Sequence, residues 1–279
     1  MITVYAKGKG TFLALKTTRN FWVVLRFRNP EEKKKITFHN GYTMNLNLGE
    51  YVAIRNTLSK GYSLEHANGL LHVQKGKIQL VGPIWLLTSV LSEGIDKIYV
   101  VDCKDKVVLD VGGFIGDTAV FFGAWGARKV IIYEPVLDHH RFIDLNVKLN
   151  HVNAEIHQEG IGDDDGYETI HYDIINAGFG LSNKGTKKIK IKIRNVRKVI
   201  EESGADIAKF DCEGAECSLV RVPSEVLRKV GFYMIEIHSL QTRSALLDKF
   251  RTSGFILIQE IPNKSYKEVS TVFLKREND

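Results

Sequence analysis

The chain has 279 residues, of which 44% are hydrophobic and 26% are charged; this composition is typical of a globular protein and argues against a disordered or fibrous one. Its net charge of +6 favours anionic partners mildly, but it is too small for a dedicated nucleic-acid binder. No apolar run approaches the roughly 20 residues that span a bilayer, and the first residues lack the apolar stretch of a signal peptide, so we expect a cytoplasmic protein.

Residues 1–96 predict a small α+β region. Asn40-Gly41 between alternating segments is the strongest short signal for a hairpin, a glycine ends helices well, and proline begins them well. In chain order the predicted elements are a strand at 21–27, a hairpin turning at Asn40 and Gly41, a helix at 49–59 stopped by Gly61, a hairpin turning at Lys75 and Gly76, and a helix at 84–91 after Pro83.

Residues 97–279 alternate between strand and helix patterns. Apolar runs such as VVLDV and KVIIY are typical of strands that are covered on both faces. The predicted strands are 106–111, 129–133, 154–158, 207–211, 232–238, 255–261 and 269–274, and the predicted helices are 117–125, 138–149, 196–202, 215–230 with a break at Pro223, and 241–252. The last two strands are too close for a crossover helix. We therefore predict a doubly wound, mostly parallel seven-stranded sheet that ends in an antiparallel hairpin.

The strongest local motif is VVLDVGGFIGDTAVFF, in which a strand ends at Asp110 and turns through Gly112, Gly113 and Gly116 into a helix. Ligands of open α/β sheets bind at such strand ends. The dinucleotide fingerprint needs glycine at i, i+2 and i+5, and aligning the last two glycines puts Val111 at the first position. This mismatch argues against a dinucleotide.

Charge at the same turn favours a cationic ligand. Asp110 is poorly placed for a pyrophosphate but suits an ammonium, and Glu134 ends the next strand, where a carboxylate can accept both hydroxyls of a ribose. S-adenosylmethionine (SAM) carries an ammonium, a sulfonium and a ribose. The motif therefore indicates a SAM pocket; the alternative is a tight turn in a fold that binds nothing.

A second group of ionisable residues follows later strands of the predicted sheet. KFDCEGAECSLV places Asp211, Glu213 and Glu216 after one strand, and YMIEIHS places Glu236 and His238 at the end of the next. Such convergence is costly without a ligand or a proton-transfer role. Taken singly, Glu216 has a simpler interpretation as a carboxylate in the first turn of a helix that complements the helix dipole. His238 alone could be a packed or capping histidine.

These motifs, with GIGDDDG between them, resemble the FkbM family of SAM-dependent methyltransferases over roughly residues 100–274. The resemblance implies the class I methyltransferase fold and O-methylation of hydroxyls on sugars, polyketides and other natural products. Cys212 and Gly160 depart from the residues that are usual in the family. By this likeness the SAM-binding residues would be Asp110, Gly112, Gly113, Gly116, Glu134 and the backbone of Gly160 and Ile161, and the residues bordering the methyl group would be Asp211, Glu213 and Glu216.

We thus expect a methyltransferase domain at residues 97–279 that methylates a hydroxyl of a sugar, glycan or other small natural product. Asp211 and His238 are the candidate bases that accept the proton of the acceptor hydroxyl, and Glu213 is the candidate for orienting the acceptor. A magnesium site on Asp211, Glu213 and Glu216 is conceivable, although the predicted site contains no metal. The alternatives are an RNA methyltransferase and a non-catalytic protein that binds SAM or a nucleoside.

Residues 168–195 form an insertion that predicts two strands joined by a loop at 176–185, a candidate for acceptor specificity. In KKIKIKIR the isoleucines and the basic residues point to opposite faces. The basic face suits a protected edge or near-edge strand or a stripe for an anionic acceptor or RNA. His139 and His140 are expected on solvated surface.

Overall fold

A computed structural model describes residues 9–93, 98–172, 187–263 and 266–277 of the chain. The chain divides into two compact units, Met1–Ile95 and Asp96–Asp279. In the described ranges, none of the helices combines the length and the apolar character that crossing a membrane requires. Cys103, Cys212 and Cys217 are free thiols.

The first unit contains helices, a hairpin and an antiparallel sheet. Asn47 and Glu50 form a capping box at the start of its second helix, which explains why that helix begins where it does. The elements are α1 Lys9–Thr17, a 3-10 helix Phe21–Arg26, β1 Lys34–Thr37, β2 Thr43–Leu46, α2 Leu48–Ser59, β3 Ser63–Ala67, β4 Leu70–Lys75, β5 Ile78–Gly82 and α3 Ile84–Glu93. β1 pairs with β2, and β3, β4 and β5 form a sheet in that order.

Both predicted hairpins and both predicted helices of this unit are confirmed, but the strand predicted at 21–27 is wrong. Residues 21–26 form a 3-10 helix. The side chain of Asn20 accepts a hydrogen bond from the backbone of Thr37 at 2.8 Å and donates one to Lys35 at 3.0 Å. These bonds occupy backbone groups of β1 that a neighbouring strand would need, so the apolar segment turns away. β3 was not predicted.

The second unit is built on a seven-stranded sheet with helices between the strands. Its sheet strands are β6 Val107–Val111, β7 Lys129–Tyr133, β8 Ala154–His157, β12 Ile207–Phe210, β13 Phe232–Ile237, β14 Phe255–Pro262 and β15 Ser270–Arg276. Its helices are α4 Asp117–Ala124, α5 Leu137–Leu149, α6 Val196–Ser203, α7 Ser224–Leu227 and α8 Leu240–Thr252, with a 3-10 helix at Ala215–Arg221. The remaining strands, β9 Gly160–Gly162, β10 Gly166–Tyr172 and β11 Lys187–Asn195, form a separate sheet.

The strand order of the large sheet is β14-β15-β13-β12-β6-β7-β8. β6, β7, β8, β12 and β13 are parallel, and β15 is antiparallel to both of its neighbours. The predicted doubly wound sheet with its terminal antiparallel hairpin is therefore confirmed. The chain runs from β6 outward to β8 and returns to β12 on the other side of β6. The order reverses between β6 and β12, and ligands of such sheets bind at this point.

The two strands at this switch point are buried on both faces. Every residue of β6 and β12 is buried, including the charged residues Asp110 and Lys209. On one side the core contains the stacked or edge-on rings of Phe210, Tyr233 and Phe250. This packing fixes the positions of the ends of β6 and β12. The glycine turn follows β6, and Asp211 follows β12.

The predicted insertion contains β11 and most of β10, and these two strands form the sheet β10-β11-β9 with β9, which precedes the insertion. Ile191 and Ile193 are buried and Lys188, Lys190 and Lys192 are exposed, which confirms the alternation. β11 pairs with β10 along most of its length but with β9 only through residues 193–195. In the described part of the sheet, residues 187–192 therefore have a partner strand on one side only, which agrees with the edge or near-edge interpretation. The loop expected at 176–185 lies outside the described residues.

The helix predicted at 215–230 is replaced by two short pieces. A 3-10 helix ends at Arg221, and α7 begins at Ser224, directly after the predicted break at Pro223. Gly214 precedes the first piece with φ +107°. The Glu216 carboxylate accepts hydrogen bonds from the backbone of Gly214 and His238, and these tether the first turn to the end of β13.

Candidate active site

The glycine turn after β6 has glycines because other parts of the chain approach it closely. A Cβ on Gly112, which has φ +82°, would lie 1.7 Å from the carbonyl oxygen of Asp211. A Cβ on Gly113 would lie 2.2 Å from the Ile132 side chain, and one on Gly116, with φ +80°, would lie 3.2 Å from a backbone atom of α5. The turn is therefore packed against β12, β7 and α5 at once.

The backbone amides of this turn are used inside the protein. Gly112 and Gly113 donate to the carbonyl oxygen of Tyr133 at 2.9 and 3.1 Å. Phe114, with φ +47°, donates to Oε2 of Glu134 at 3.0 Å. A pyrophosphate site needs such amides free and aimed at the ligand, so these three amides do not provide one.

The helix that follows the turn begins with a buried acid. Asp117 is 2% exposed, and burial raises its pKa to about 7. A phosphate at this helix N-terminus would meet a second acidic group, which offsets the attraction of the helix dipole. The turn and the helix therefore suit an anionic ligand poorly.

Asp110 lies beneath the turn and is fully buried. Its Oδ1 is 3.0 Å from Nζ of Lys209, the residue paired with it on β12, and its Oδ2 accepts a hydrogen bond from Thr118. Lys209 also donates to the carbonyl oxygen of Gly112 at 2.8 Å. Burial lowers the pKa of Lys209, but the carboxylates of Asp110 and Asp211 raise it further, so the lysine stays protonated.

Sequence reasoning did not single out Lys209. The available signal was a lysine inside the otherwise apolar strand IAKF, because lysine is almost never fully buried without a partner. The identity of that partner depended on which strands are neighbours.

Glu134 ends β7 and is 5% exposed. Besides Phe114, its carboxylate faces the amide of Val136 at 2.9 Å and Nδ1 of His139 at 3.1 Å, both through Oε1. A carboxylate offers about four acceptor positions, and these contacts use three. These contacts engage both carboxylate oxygens of Glu134, which the sequence interpretation had left available to two ribose hydroxyls.

The expectation that His139 and His140 lie on solvated surface is wrong. His139 is 1% exposed, and Nε2 of His140 lies 2.6 Å from the backbone oxygen of Glu134. α5 begins at Leu137, only three residues beyond Glu134, so its first turn packs over the strand end. Both histidines thus hold the Glu134 turn in place.

The residues expected against adenine lie on β9. Ile161 is 4% exposed and belongs to the core. A Cβ on Gly160 would lie 3.1 Å from the Ile193 side chain and 3.7 Å from Pro135, next to Glu134. The Ile161 side chain therefore packs in the core, and the role of the β9 backbone next to adenine stays a prediction.

Four ionisable side chains, Asp211, Glu213, Glu236 and His238, converge at the ends of β12 and β13, and we call them the acidic crevice. Their side chains are 27%, 34%, 20% and 17% exposed. Nε2 of His238 lies 3.5 Å from Glu213 and 3.9 Å from Glu236. The crevice is therefore a half-buried site that a ligand can reach.

Tyr99 supports the acidic crevice from below, and sequence reasoning missed it. This tyrosine is 2% exposed, and its hydroxyl lies 3.1 Å from Oδ2 of Asp211 and 3.2 Å from Oε2 of Glu236. Nothing in the pattern around Tyr99 marks it, since it precedes β6 and reaches the crevice only in the folded chain.

Glu216 lies beneath the crevice. Its side chain is fully buried, and Oε1 faces Nδ1 of His238 at 3.2 Å. Burial opposes protonation of His238, but the hydrogen bond and charge of Glu216, with the charge of Glu213, raise its pKa to about 9. Glu216 therefore orients and charges His238, which goes beyond complementing a helix dipole.

We predict that Glu216→Gln lowers the pKa of His238, because the substitution removes the charge that outweighs burial. An NMR titration of the histidine ring measures this. In the parent protein the raised pKa contributes stability that is fully present below about pH 6.5 and is lost as the pH rises through about 9. Glu216→Gln should remove that dependence, whereas Glu201→Gln on α6 should leave it; an unchanged His238 titration would contradict the assignment.

The crevice contains more acid than base. Burial, followed for Glu236 by the charge of Asp211, raises the pKa of Glu213 to about 8 and that of Glu236 to about 7. Both groups are thus partly protonated at neutral pH because their negative charges are poorly compensated. A cation in the crevice would compensate these charges and would therefore be stabilised there. Ligand atoms of Asp211, Glu213 and His238 lie within 4.8 Å of one another and could hold a metal ion. The sequence suggested Glu216 as the third ligand, but its carboxylate is bonded to Gly214 and His238 instead.

No family model and no curated protein matches the chain. Among solved structures, a proposed RNA methyltransferase from Pyrococcus horikoshii is 14% identical, with a TM-score of 0.43 over 70% of this chain and 90% of that one. A proposed tRNA (m1A22) methyltransferase from Streptococcus pneumoniae, in complex with S-adenosyl-L-methionine, is 13% identical, with a TM-score of 0.43 over 66% and 72%. A ribosomal protein L11 methylase from Lactobacillus delbrueckii is 13% identical, with a TM-score of 0.39 over 71% and 81%.

Proposed function

We propose that the chain is a SAM-dependent methyltransferase of the FkbM type that methylates a hydroxyl of a sugar, glycan or other small natural product. The observation that carries the proposal is the charge arrangement at the switch point of the sheet. The glycine turn uses its amides internally, and the neighbouring strand ends present carboxylates. This arrangement suits a cationic adenosyl cofactor and does not suit a dinucleotide.

In this proposal the adenosyl part of SAM lies along the turn formed by Gly112, Gly113 and Gly116. Glu134 accepts a ribose hydroxyl at its free acceptor position, and the backbone of Gly160 and Ile161 faces adenine. Asp110 supports the turn from below. The cationic end of the cofactor lies toward the acidic crevice, where its charge offsets the excess of carboxylates.

SAM supplies a methyl group on a sulfonium, which is already activated for transfer. The protein must hold the acceptor oxygen in line with that group, and such positioning supplies on the order of 7–11 kcal/mol. A hydroxyl acceptor must also lose its proton, for which a placed base contributes about 10²–10⁴-fold. The residues of the acidic crevice are positioned for both tasks.

Asp211 is the better of the two candidate bases. His238 has a pKa of about 9, so at neutral pH its ring is protonated and cannot accept a proton. Asp211 has its Oδ2 oriented by Tyr99. We therefore assign Asp211 as base, His238 as the cation beside Glu213, and Glu213 as the group that orients the acceptor.

An RNA acceptor is less well supported. On the basic face of β11, Lys192 pairs with Glu159 and Arg194 pairs with Glu202. These ion pairs reduce the positive charge that a phosphate backbone would meet. Lys188 and Lys190 remain exposed on that face, and Lys190 lies over the Tyr167 ring, so the basic face favours RNA weakly.

Incubation with SAM carrying an isotope-labelled methyl group tests the function. The protein is mixed with extracts containing glycans, lipids and RNA, and the labelled products are identified. We expect label on a hydroxyl of a small molecule or glycan. Label on RNA would establish the alternative acceptor, and binding of SAM without any labelled product would indicate a protein that binds the cofactor and does not use it.

A further inference from the structure

We propose that Lys209 is a positioning residue that joins the glycine turn to the acidic crevice, and that Asp110 acts through Lys209 and not as a free charge that faces the cofactor. This inference rests on the proposed function, because it assigns which acidic groups the cationic cofactor meets.

The Lys209 ammonium contacts the end of β6, the glycine turn and the acidic crevice. It lies 3.0 Å from Oδ1 of Asp110, 2.8 Å from the carbonyl oxygen of Gly112 and 3.9 Å from Oδ2 of Asp211. The Tyr99 ring covers it, with its centroid 5.4 Å from Nζ. The Lys209 side chain is 2% exposed, so protein groups surround this charge.

The backbone brings the same segments together. Lys209 and Asp110 are register partners on the parallel strands β12 and β6. Two residues beyond each of them, the α-carbon of Gly112 packs directly on the carbonyl group of Asp211. A shift of the glycine turn therefore displaces the backbone of Asp211, and the hydrogen bond from Lys209 to Gly112 holds the turn in the packed position.

The surroundings of Asp110 explain why it is not a free charge. It has no exposed surface; Thr118 donates to one of its oxygens and Lys209 faces the other. Protein groups therefore surround this carboxyl, and burial, which outweighs Lys209 and Thr118, raises the pKa of Asp110 above its usual range. A cationic cofactor instead meets the half-buried carboxylates of the acidic crevice.

Lys209→Met separates this arrangement from direct contact between Asp110 and the cofactor. If Lys209 positions the turn, losing its bond to Gly112 should weaken SAM binding about tenfold, as much as Asp110→Asn does. If Asp110 instead bound the cofactor directly, Lys209→Met would expose its charge, and SAM would bind as tightly as before or more tightly. Isothermal calorimetry measures both affinities, and Lys129→Met, at an exposed ion pair with Glu155, is the control expected to change nothing.

The double variant Asp110→Asn/Lys209→Met separates positioning from stability. Removing one partner of a buried pair leaves an unbalanced charge, whereas removing both does not. Its melting temperature should therefore lie above that of either single variant. Its SAM affinity should stay about tenfold below that of the parent protein, because the carbonyl oxygen of Gly112 still lacks the hydrogen bond from Lys209. Recovery of affinity together with stability would reduce Lys209 to a structural role, and a double variant no more stable than the singles would contradict the pairing. If the parent protein bound no SAM, the proposed function would fail, while the melting temperatures would still decide the pairing.

Discussion

Gly112→Ala should abolish SAM binding and strongly destabilise the second unit. The new Cβ would lie 1.7 Å from the carbonyl oxygen of Asp211, which is backbone and cannot move without shifting the end of β12. The residue also has φ +82°, which alanine adopts only at a cost. Together the left-handed backbone and the overpacking should cost about 2–4 kcal/mol. Thermal unfolding gives the stability, and calorimetry gives the affinity.

Gly204→Ala is the matched control for this substitution. Gly204 ends α6 with φ +59°, and no atom lies within 4 Å of the position that a Cβ would take. It should cost about 1–2 kcal/mol for the left-handed backbone alone and leave SAM affinity unchanged. Equal effects of the two substitutions would mean that the contact between Gly112 and Asp211 is not what requires glycine in the turn.

Asp211→Asn should lower methyl transfer by about 10²–10⁴-fold, the usual contribution of a placed base, while SAM affinity changes far less. Asparagine keeps the shape of the side chain and an oxygen for the Tyr99 hydroxyl, and Glu213 and Glu236 still face the cofactor. Turnover of the labelled methyl group measures the first effect and calorimetry the second. Asp248→Asn, at an exposed position on α8, should alter neither. Full activity of Asp211→Asn on every acceptor would remove Asp211 as the base.

The large sheet was predictable from sequence because its strands are apolar runs closed by recognisable turns. β7 begins and ends where KVIIY predicts, and the terminal strands are too close for a crossover, so their antiparallel pairing follows. The segment at 21–27 has equally strong strand composition, yet it is a 3-10 helix. Composition does not report that Asn20 already occupies the backbone of β1.

The candidate site was predictable only in part. Acidic residues at strand ends pointed to the crevice because parallel strands end at the same edge of the sheet. Lys209 and Tyr99 were missed because their roles depend on partners distant in the chain. Lys209 needs β6 as its neighbour, and Tyr99 reaches residues more than 100 positions away. The ion pairs inside the site form only when the chain folds, so the local sequence around each residue does not predict them.

We propose that the switch point of this sheet binds a cationic adenosyl compound. The most direct measurement is a pair of calorimetric titrations of the unmodified protein, one with SAM and one with NAD at the same concentrations. We expect saturable heat at one site per chain with SAM and no heat with NAD. Heat with NAD and none with SAM would show that the switch point does not bind a cationic adenosyl compound.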